Sequence, residues 1–218
     1  MQLAPRSERL WWRDAVTYQI YIRSFADSNG DGIGDINGIR SRLAYLKELG
    51  IDAIWITPWF PSPQKDHGYD VANYFDIEPD YGTLGDAKAL IAEAHELGIR
   101  ILLDVVPNHC SDQHEWFQAA LKAAPGSKER ERFHFLDGKG KDGELPPNNW
   151  PSVFGGDAWQ RVIEADGKPG QWYLHIFATE QPDFNWEHRE VREHFENILK
   201  FWLDLGVDGF RIDVAHAM

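Results

Sequence analysis

One short phrase constrains this chain more than any other. It occurs as Leu49-Gly50-Ile51-Asp52, Leu97-Gly98-Ile99-Arg100 and Leu205-Gly206-Val207-Asp208. Each copy follows a stretch of helical periodicity and precedes a short apolar run. The first helix pattern carries Ile36, Ile39, Leu43, Leu46 and Leu49 on one face. The second begins at Thr83, an N-cap with Asp86 three residues on, and carries Leu84, Ala87, Leu90, Ile91, Ala94 and Leu97. The third carries Val191, Phe195, Ile198, Leu199, Trp202 and Leu205. A glycine at the end of each helix can take the left-handed conformation that closes it. The runs that follow, residues 53–56, 101–106 and 210–214, are nearly all apolar, as parallel strands covered on both faces are. With an opening strand over 15–22, the expected order is β-α-β-α-β-α-β.

The first two phrases are one βα unit apart, but the third comes more than twice as late. The excess predicts an insertion after the third strand, with a helix over 111–124 and a hairpin formed by 159–164 and 171–177 around Asp166-Gly-Lys-Pro-Gly170. Residues 139–147, polar and rich in Gly and Pro, read as a mobile loop. Four such strands fit either an open doubly wound sheet or half of an eight-stranded barrel. No Gly-rich phosphate loop follows the first strand, which disfavours a nucleotide-binding sheet. A barrel carries its functional residues on the loops after the strands, and there the polar clusters of this sequence lie.

The 218 residues suffice for one ordinary domain, and a formal net charge of −13 repels nucleic acid and anionic membrane. The ten Trp and 13% aromatic residues favour a plain core, though a cleft in which sugar rings stack uses the same residues. A single cysteine, Cys110, excludes an internal disulfide and reads as a buried thiol. Arg6 and Arg9 precede no apolar segment, because Trp11-Trp12-Arg13-Asp14 interrupts it. Neither a signal peptide nor a membrane span is expected, and the cytoplasm is the expected compartment.

The clusters lie at four strand exits. After the first comes Asp27-Ser-Asn29-Gly-Asp31-Gly-Ile33-Gly-Asp35, whose alternate oxygen ligands suit Ca²⁺ or Mg²⁺. Gly38 stands where an EF-hand needs its bidentate Glu, so a metal loop of another type is expected, with a metal-free cluster of Asx turns as the alternative. After the second come Thr57-Pro-Trp-Phe60 and Asp66-His-Gly-Tyr69-Asp70, which suit a hydroxyl-rich ligand or a plain turn. Asp104-Val-Val-Pro-Asn108-His109 follows, with Asp104 either a site residue or a structural acid. The fourth exit is Gly209-Phe-Arg211-Ile-Asp213: Arg211 and Asp213 share one strand face, so the guanidinium can keep the carboxylate ionised and nucleophilic, or the two form a structural ion pair.

With Gln181-Pro-Asp-Phe-Asn-Trp186, these motifs carry a resemblance. From about Trp11 to Met218 the chain resembles the N-terminal part of the α-amylase superfamily (glycoside hydrolase family thirteen), closest to its α-glucosidase and oligo-1,6-glucosidase branch. The resemblance implies the N-terminal half of a (β/α)8 TIM barrel with a domain B insertion after strand three. The implied division is barrel units over 1–107, domain B over 108–180, and barrel helix and strand over 181–218. It makes Asp213 the catalytic nucleophile and Arg211 the residue orienting it. Asp66, Tyr69 and His109 grip glucose in the −1 subsite, with Phe154, Phe177 and Gln181 on the domain B side. Asp27, Asn29, Asp31, the Ile33 carbonyl and Asp35 form the branch's structural metal loop for Ca²⁺ or Mg²⁺. Val214 is similar to the residue of α-1,6-cleaving members, and Phe184 replaces the branch's usual Leu.

The implied activity is retaining cleavage of terminal α-linked glucose from small α-glucosides of the maltose, isomaltose or sucrose class. Such chemistry needs a second carboxyl as proton donor, which in the family follows the fifth strand. The chain is therefore expected to be an inactive fragment, dependent on a C-terminal half-barrel or self-associating through its open edges. The alternatives are a trehalose synthase or other α-glucosyl transferase, and a non-catalytic sugar-binding half-barrel.

Overall fold

A computed structural model describes residues 10–164 and 166–218. It contains β1 (Thr17–Ile20), α1 (Ile22–Phe25), α2 (Ile36–Leu49), β2 (Ala53–Ile56), α3 (Leu84–Glu96), β3 (Arg100–Val105), α4 (Glu115–Lys122), α5 (Lys128–Glu131), β4 (Phe135–Leu136), β5 (Trp159–Ile163), β6 (Pro169–Leu174), α6 (Arg189–Leu205) and β7 (Gly209–Ile212). The strands β1, β2, β3 and β7 form one parallel sheet in that order, and β4, β6 and β5 form a small antiparallel sheet. This is the expected first half of a (β/α)8 series with an insertion after its third strand.

The described residues divide into two compact units, 10–57, 79–104 and 203–211 in one, 58–78, 105–164, 166–202 and 212–218 in the other. In the first, the parallel register pairs Ala53 with Thr17 and with Arg100. Ile54, Ile56, Ile101 and Leu103, which lie on β2 and β3, are fully buried. Helix α3 starts on a capping box in which Thr83 and Asp86 serve each other's backbone amides. The three punctuating glycines take φ of +84°, +71° and +115° at Gly50, Gly98 and Gly206, as a helix-closing residue requires. Leu49 departs from the expected apolar stripe: it lies on the last turn of α2 and is exposed. The strands β1 and β7 are only partly covered, because they are the edges of the sheet.

In the second unit Trp202 packs on Trp59 and Phe60, with ring centroids 5.5 and 5.7 Å apart, and its indole N–H donates to the Tyr74 carbonyl. Phe184 stacks on Phe133 at 5.1 Å, so its larger ring fills core rather than site. The insertion helix is shorter than expected, because His114 caps it at its own ring nitrogen. Residues 139–147 form a hydrogen-bonded turn, with Lys139 and Leu145 exchanging backbone bonds and Trp172 and Arg161 donating to the Gly143 and Asp142 carbonyls. Cys110 is a buried free thiol. Among the described residues, no helix is long and apolar enough to cross a membrane.

Candidate active site

The loop after β2 is organised by Asp70, which is fully buried and accepts from the Ser62 hydroxyl and from the amides of Lys65 and Asp66, at 2.9 to 3.0 Å. Three donors on one carboxylate hold the turn that presents Asp66. The turn is tight: Gln64 and His67 both have positive φ, uncommon for residues with a side chain. Tyr69 follows, with its amide bonded to the Asp66 carbonyl.

The segment after β3 is clamped through its backbone. The Tyr74 hydroxyl lies 2.8 and 2.9 Å from the carbonyls of Val106 and His109, and Trp186 donates to that of Pro107. His109 is thereby held in the interior, 1% exposed. Its Nε2 lies 3.2 Å from the Tyr69 carbonyl and 3.0 Å from Gln181 Nε2, which also donates to Asp66 at 2.9 Å. Burial lowers the His109 pKa to about 4, so the ring is neutral near pH 7. Asp66 moves the other way: burial raises its pKa, Gln181 opposes, and the charges of Asp70 and Asp213 add to the rise.

On the insertion side the Phe177 ring lies 5.1 Å from His109 and 5.6 Å from Phe154. Ser152 ties this side together, donating to the Phe177 carbonyl and accepting from the Phe154 amide. A cleft of about 560 Å³ opens beside Phe154 and Phe177, with Trp159, Trp172 and His175 also on its wall. Phe154 is 60% exposed, an apolar ring offered to solvent. Asp213 donates its amide to the Val105 carbonyl at 2.8 Å, and Val214 after it sits at φ +47°, ψ +35°. A β-branched residue in the left-handed region is strained, and the strain falls beside the carboxylate that the motif singles out.

In the other unit Arg211 pairs with Asp104 at 3.2 Å and lies 4.9 Å over the Trp55 ring. Asp104 is fully buried and also accepts from the Trp55 indole at 3.0 Å. Asp104 is thus held as a buried, hydrogen-bonded acid, and its partner Trp55 is not disclosed by a place in an apolar strand.

The loop after α1 is a succession of Asx turns. Asp27 accepts from the amides of Asn29, Gly30 and Gly32, Asn29 from that of Asp31, and Asp31 from that of Ile33. The Gly30 and Gly32 amides hold the Asp27 carboxyl below the usual range. Asp35 accepts from Ser28 with one oxygen and caps α2 with the other. Among the described residues no three His, Cys, Asp or Glu side chains converge at metal-binding distance. The oxygens of Asp27, Asn29 and Asp31 and the Ile33 carbonyl match a hard cation in kind, and Asp35 is committed to the loop and the helix.

The sequence motifs therefore bring Asp66, Tyr69, His109, Gln181, Phe177 and Phe154 into one chain of contacts. They name, without giving a role to, Asn108 and Asp183, which stand behind His109 and are joined at 3.2 Å. Their buried polar side chains beside an apolar strand end were the available signal.

A parallel α/β sheet with polar residues on its strand exits and an antiparallel insertion after the third strand defines a barrel-type enzyme scaffold. The chain belongs to the α-amylase catalytic-domain family, whose model matches residues 19–218. It is 51% identical over 209 residues to the oligo-1,6-glucosidase of Parageobacillus thermoglucosidasius, covering 96% of this chain and 36% of that protein. The solved isomaltulose synthase of Klebsiella sp. LX3 superposes with a TM-score of 0.88 at 50% identity, and the trehalose-6-phosphate hydrolase of Bacillus licheniformis with 0.87 at 45%. Each structural match covers 94% of this chain and 36% of the solved one. The chain spans about a third of the length of the curated relatives it matches.

Proposed function

We infer that these residues are the nucleophile-bearing part of a retaining α-glucosidase that releases terminal α-linked glucose from small glucosides of the maltose, isomaltose or sucrose class. The observation that supports it is the convergence of Asp66, His109 and Gln181 beside the Phe177 ring. A pyranose presents hydroxyls at its rim and an apolar face, and this set offers a carboxylate, an imidazole and an aromatic ring. In this reading Asp213 attacks the anomeric carbon. The C1–O bond to the leaving sugar breaks, a glucosyl ester forms on Asp213, and water later hydrolyses it with the configuration retained. Arg211 supplies positive charge near the strand end while pairing with Asp104.

The leaving oxygen needs a proton from a second carboxyl. The upstream candidates are occupied: Asp104 by Arg211 and Trp55, Asp66 by Gln181, Asp70 by Ser62 and two amides. The donor is proposed to lie outside residues 1–218, and the 218-residue chain to bind sugar without turning it over. Asp27, Asn29, Asp31 and the Ile33 carbonyl are proposed to hold a structural Ca²⁺ or Mg²⁺, with Asp35 closing that loop onto α2. Val214 is proposed to favour α-1,6 linkages.

Calorimetry and turnover test the reading together. Glucose or maltose should bind the folded chain and lose at least tenfold in affinity in His109→Ala. Absence of binding by the folded wild type overturns the sugar assignment. Steady hydrolysis of p-nitrophenyl α-glucoside by the 218-residue chain, abolished in Asp213→Asn, overturns the external proton donor. The high identity to an isomaltulose synthase supports a second reading, transfer of the glucosyl group to a sugar hydroxyl instead of water; products from sucrose, analysed on the longer protein, separate the two.

A further inference from the structure

Asp183 takes no part in the site as proposed, yet it is 2% exposed and, among the described residues, its Oδ1 meets Asn108 Nδ2 and the Ile176 amide, each at 3.2 Å. Asn108 Nδ2 in turn lies 3.1 Å from His109 Nδ1. A buried file of side chains thus runs from Asp183 through Asn108 and His109 to Gln181, and the donors and acceptors along it must alternate.

The Gln181 end is fixed. Its Oε1 accepts from the Ala178 amide at 3.0 Å, so its Nε2 faces Asp66 and His109. One N–H goes to Asp66, and the other points at His109 Nε2, 3.0 Å away, where it needs a lone pair. The His109 ring is neutral, so its proton must be on Nδ1. An N–H at Nδ1 needs an oxygen opposite. The two ends of the Asn108 amide are distinguished only by their partners, and the oxygen belongs at this position. That oxygen then faces Asp183 Oδ1 at 3.2 Å, and two acceptors at this distance repel unless the carboxyl carries a proton.

The reverse assignment puts the proton on Nε2, where it serves the Tyr69 carbonyl at 3.2 Å. It also sets two N–H groups against each other at 3.0 Å and leaves a buried carboxylate charge on two long contacts. The first assignment leaves one mismatch, at the longer distance to Tyr69.

We propose that Asp183 is the positioning residue of this pocket. As a neutral carboxylic acid it donates to Asn108, and through that amide it fixes His109 as the Nδ1–H tautomer with its Nε2 lone pair toward Gln181. Burial raises the Asp183 pKa to about 8, against the lowering effect of the Ile176 amide. The titratable groups around the file do not oppose this. They are His109, the Cys110 thiol, itself pushed up by burial and by the charge of Asp112, His175 on the 174–177 segment, and Asp66 beyond Gln181. None of them brings a fixed positive charge to Asp183. The consequence for a sugar deepens the glucosidase reading and rests on it: a hydroxyl that displaces the Gln181 N–H from His109 Nε2 meets an acceptor there.

The tautomer itself is tested without any sugar, by ¹⁵N NMR of the imidazole nitrogens in the labelled 218-residue chain. The expected spectrum at pH 6.5 shows a protonated Nδ1 and an unprotonated Nε2 for His109. Asp183→Asn supplies an N–H in place of the O–H and should keep this pattern up to pH 9, whereas the wild type should change as Asp183 ionises. Asp183→Ala should lose the preference. A protonated Nε2 in the wild type at pH 6.5 overturns the proposal, as does an Asp183→Asn chain that abandons the Nδ1–H form. The Asn variant decides the question even if the Ala variant does not fold. Loss of sugar binding with the tautomer intact would instead count against the glucosidase reading alone.

Discussion

Asp183 and His109 stand in one buried file but respond to pH with opposite sign. A folded-state pKa of about 8 for Asp183, against ~4 in an unfolded chain, means that the native state keeps a proton the unfolded state loses. Stability from this group is present below pH ~4, declines as pH rises to 8 and then levels off. In Asp183→Asn that decline should vanish, so its unfolding midpoint in urea should gain on the wild type between pH 5 and 8; a constant difference across that range contradicts it. His109, His114 and His194, lowered by burial to about 4, 3 and 4, act on the acid side. They are neutral in the fold and take up protons in the unfolded chain below pH ~6.5, so their contribution is lost as pH falls from there toward 4 and 3. Val214 invites a simpler experiment. Glycine adopts φ +47° without strain, and Val214→Gly should raise stability by ~1 kcal/mol, measured by thermal unfolding. The motifs made Asp66, His109 and Gln181 legible as candidates. Behind them, the Asn108–Asp183 pairing spans 75 positions, and no local periodicity reports a contact at that separation.

Among the elements, helices were the easier to read, because their signals are local. Thr83 and Asp86 form the capping box their spacing indicates, and Thr83→Ala should cost ~1 kcal/mol, seen as a lower denaturation midpoint. Strand ends were harder. The opening strand was expected over 15–22 but is β1, Thr17–Ile20, because Ile22 already begins the turn of α1. Gly38, inside α2, looks from sequence like an error in a helix. A Cβ there would lie 1.8 Å from the Ala26 carbonyl oxygen, so the loop after α1 can close on the helix only over a glycine. Gly38→Ala should cost ~3 kcal/mol, and if the loop holds a cation, the thermal shift produced by added Ca²⁺ should shrink with it.

For the molecule as a whole, the sequence phrases named the strand order correctly because each βα unit is self-contained. The edges follow from that order: β1 and β7 flank the parallel sheet and are partly exposed along their length. Unpaired strand edges recruit other strands, so sedimentation velocity of the 218-residue chain should show association that grows with protein concentration; a single monomeric species at all concentrations contradicts this. The insertion between β3 and α6 has a temporal consequence. Asp208, just before β7, bonds its amide to the Ile101 carbonyl, so the last strand of the sheet docks on a neighbour made 107 residues earlier. The partners of the β5–β6 hairpin, by contrast, lie within a few residues of its turn. Such differences in sequence separation order the events of folding. As the polypeptide leaves the ribosome, the hairpin can close while β3 still waits, its outer edge bare, for the strand that carries Arg211.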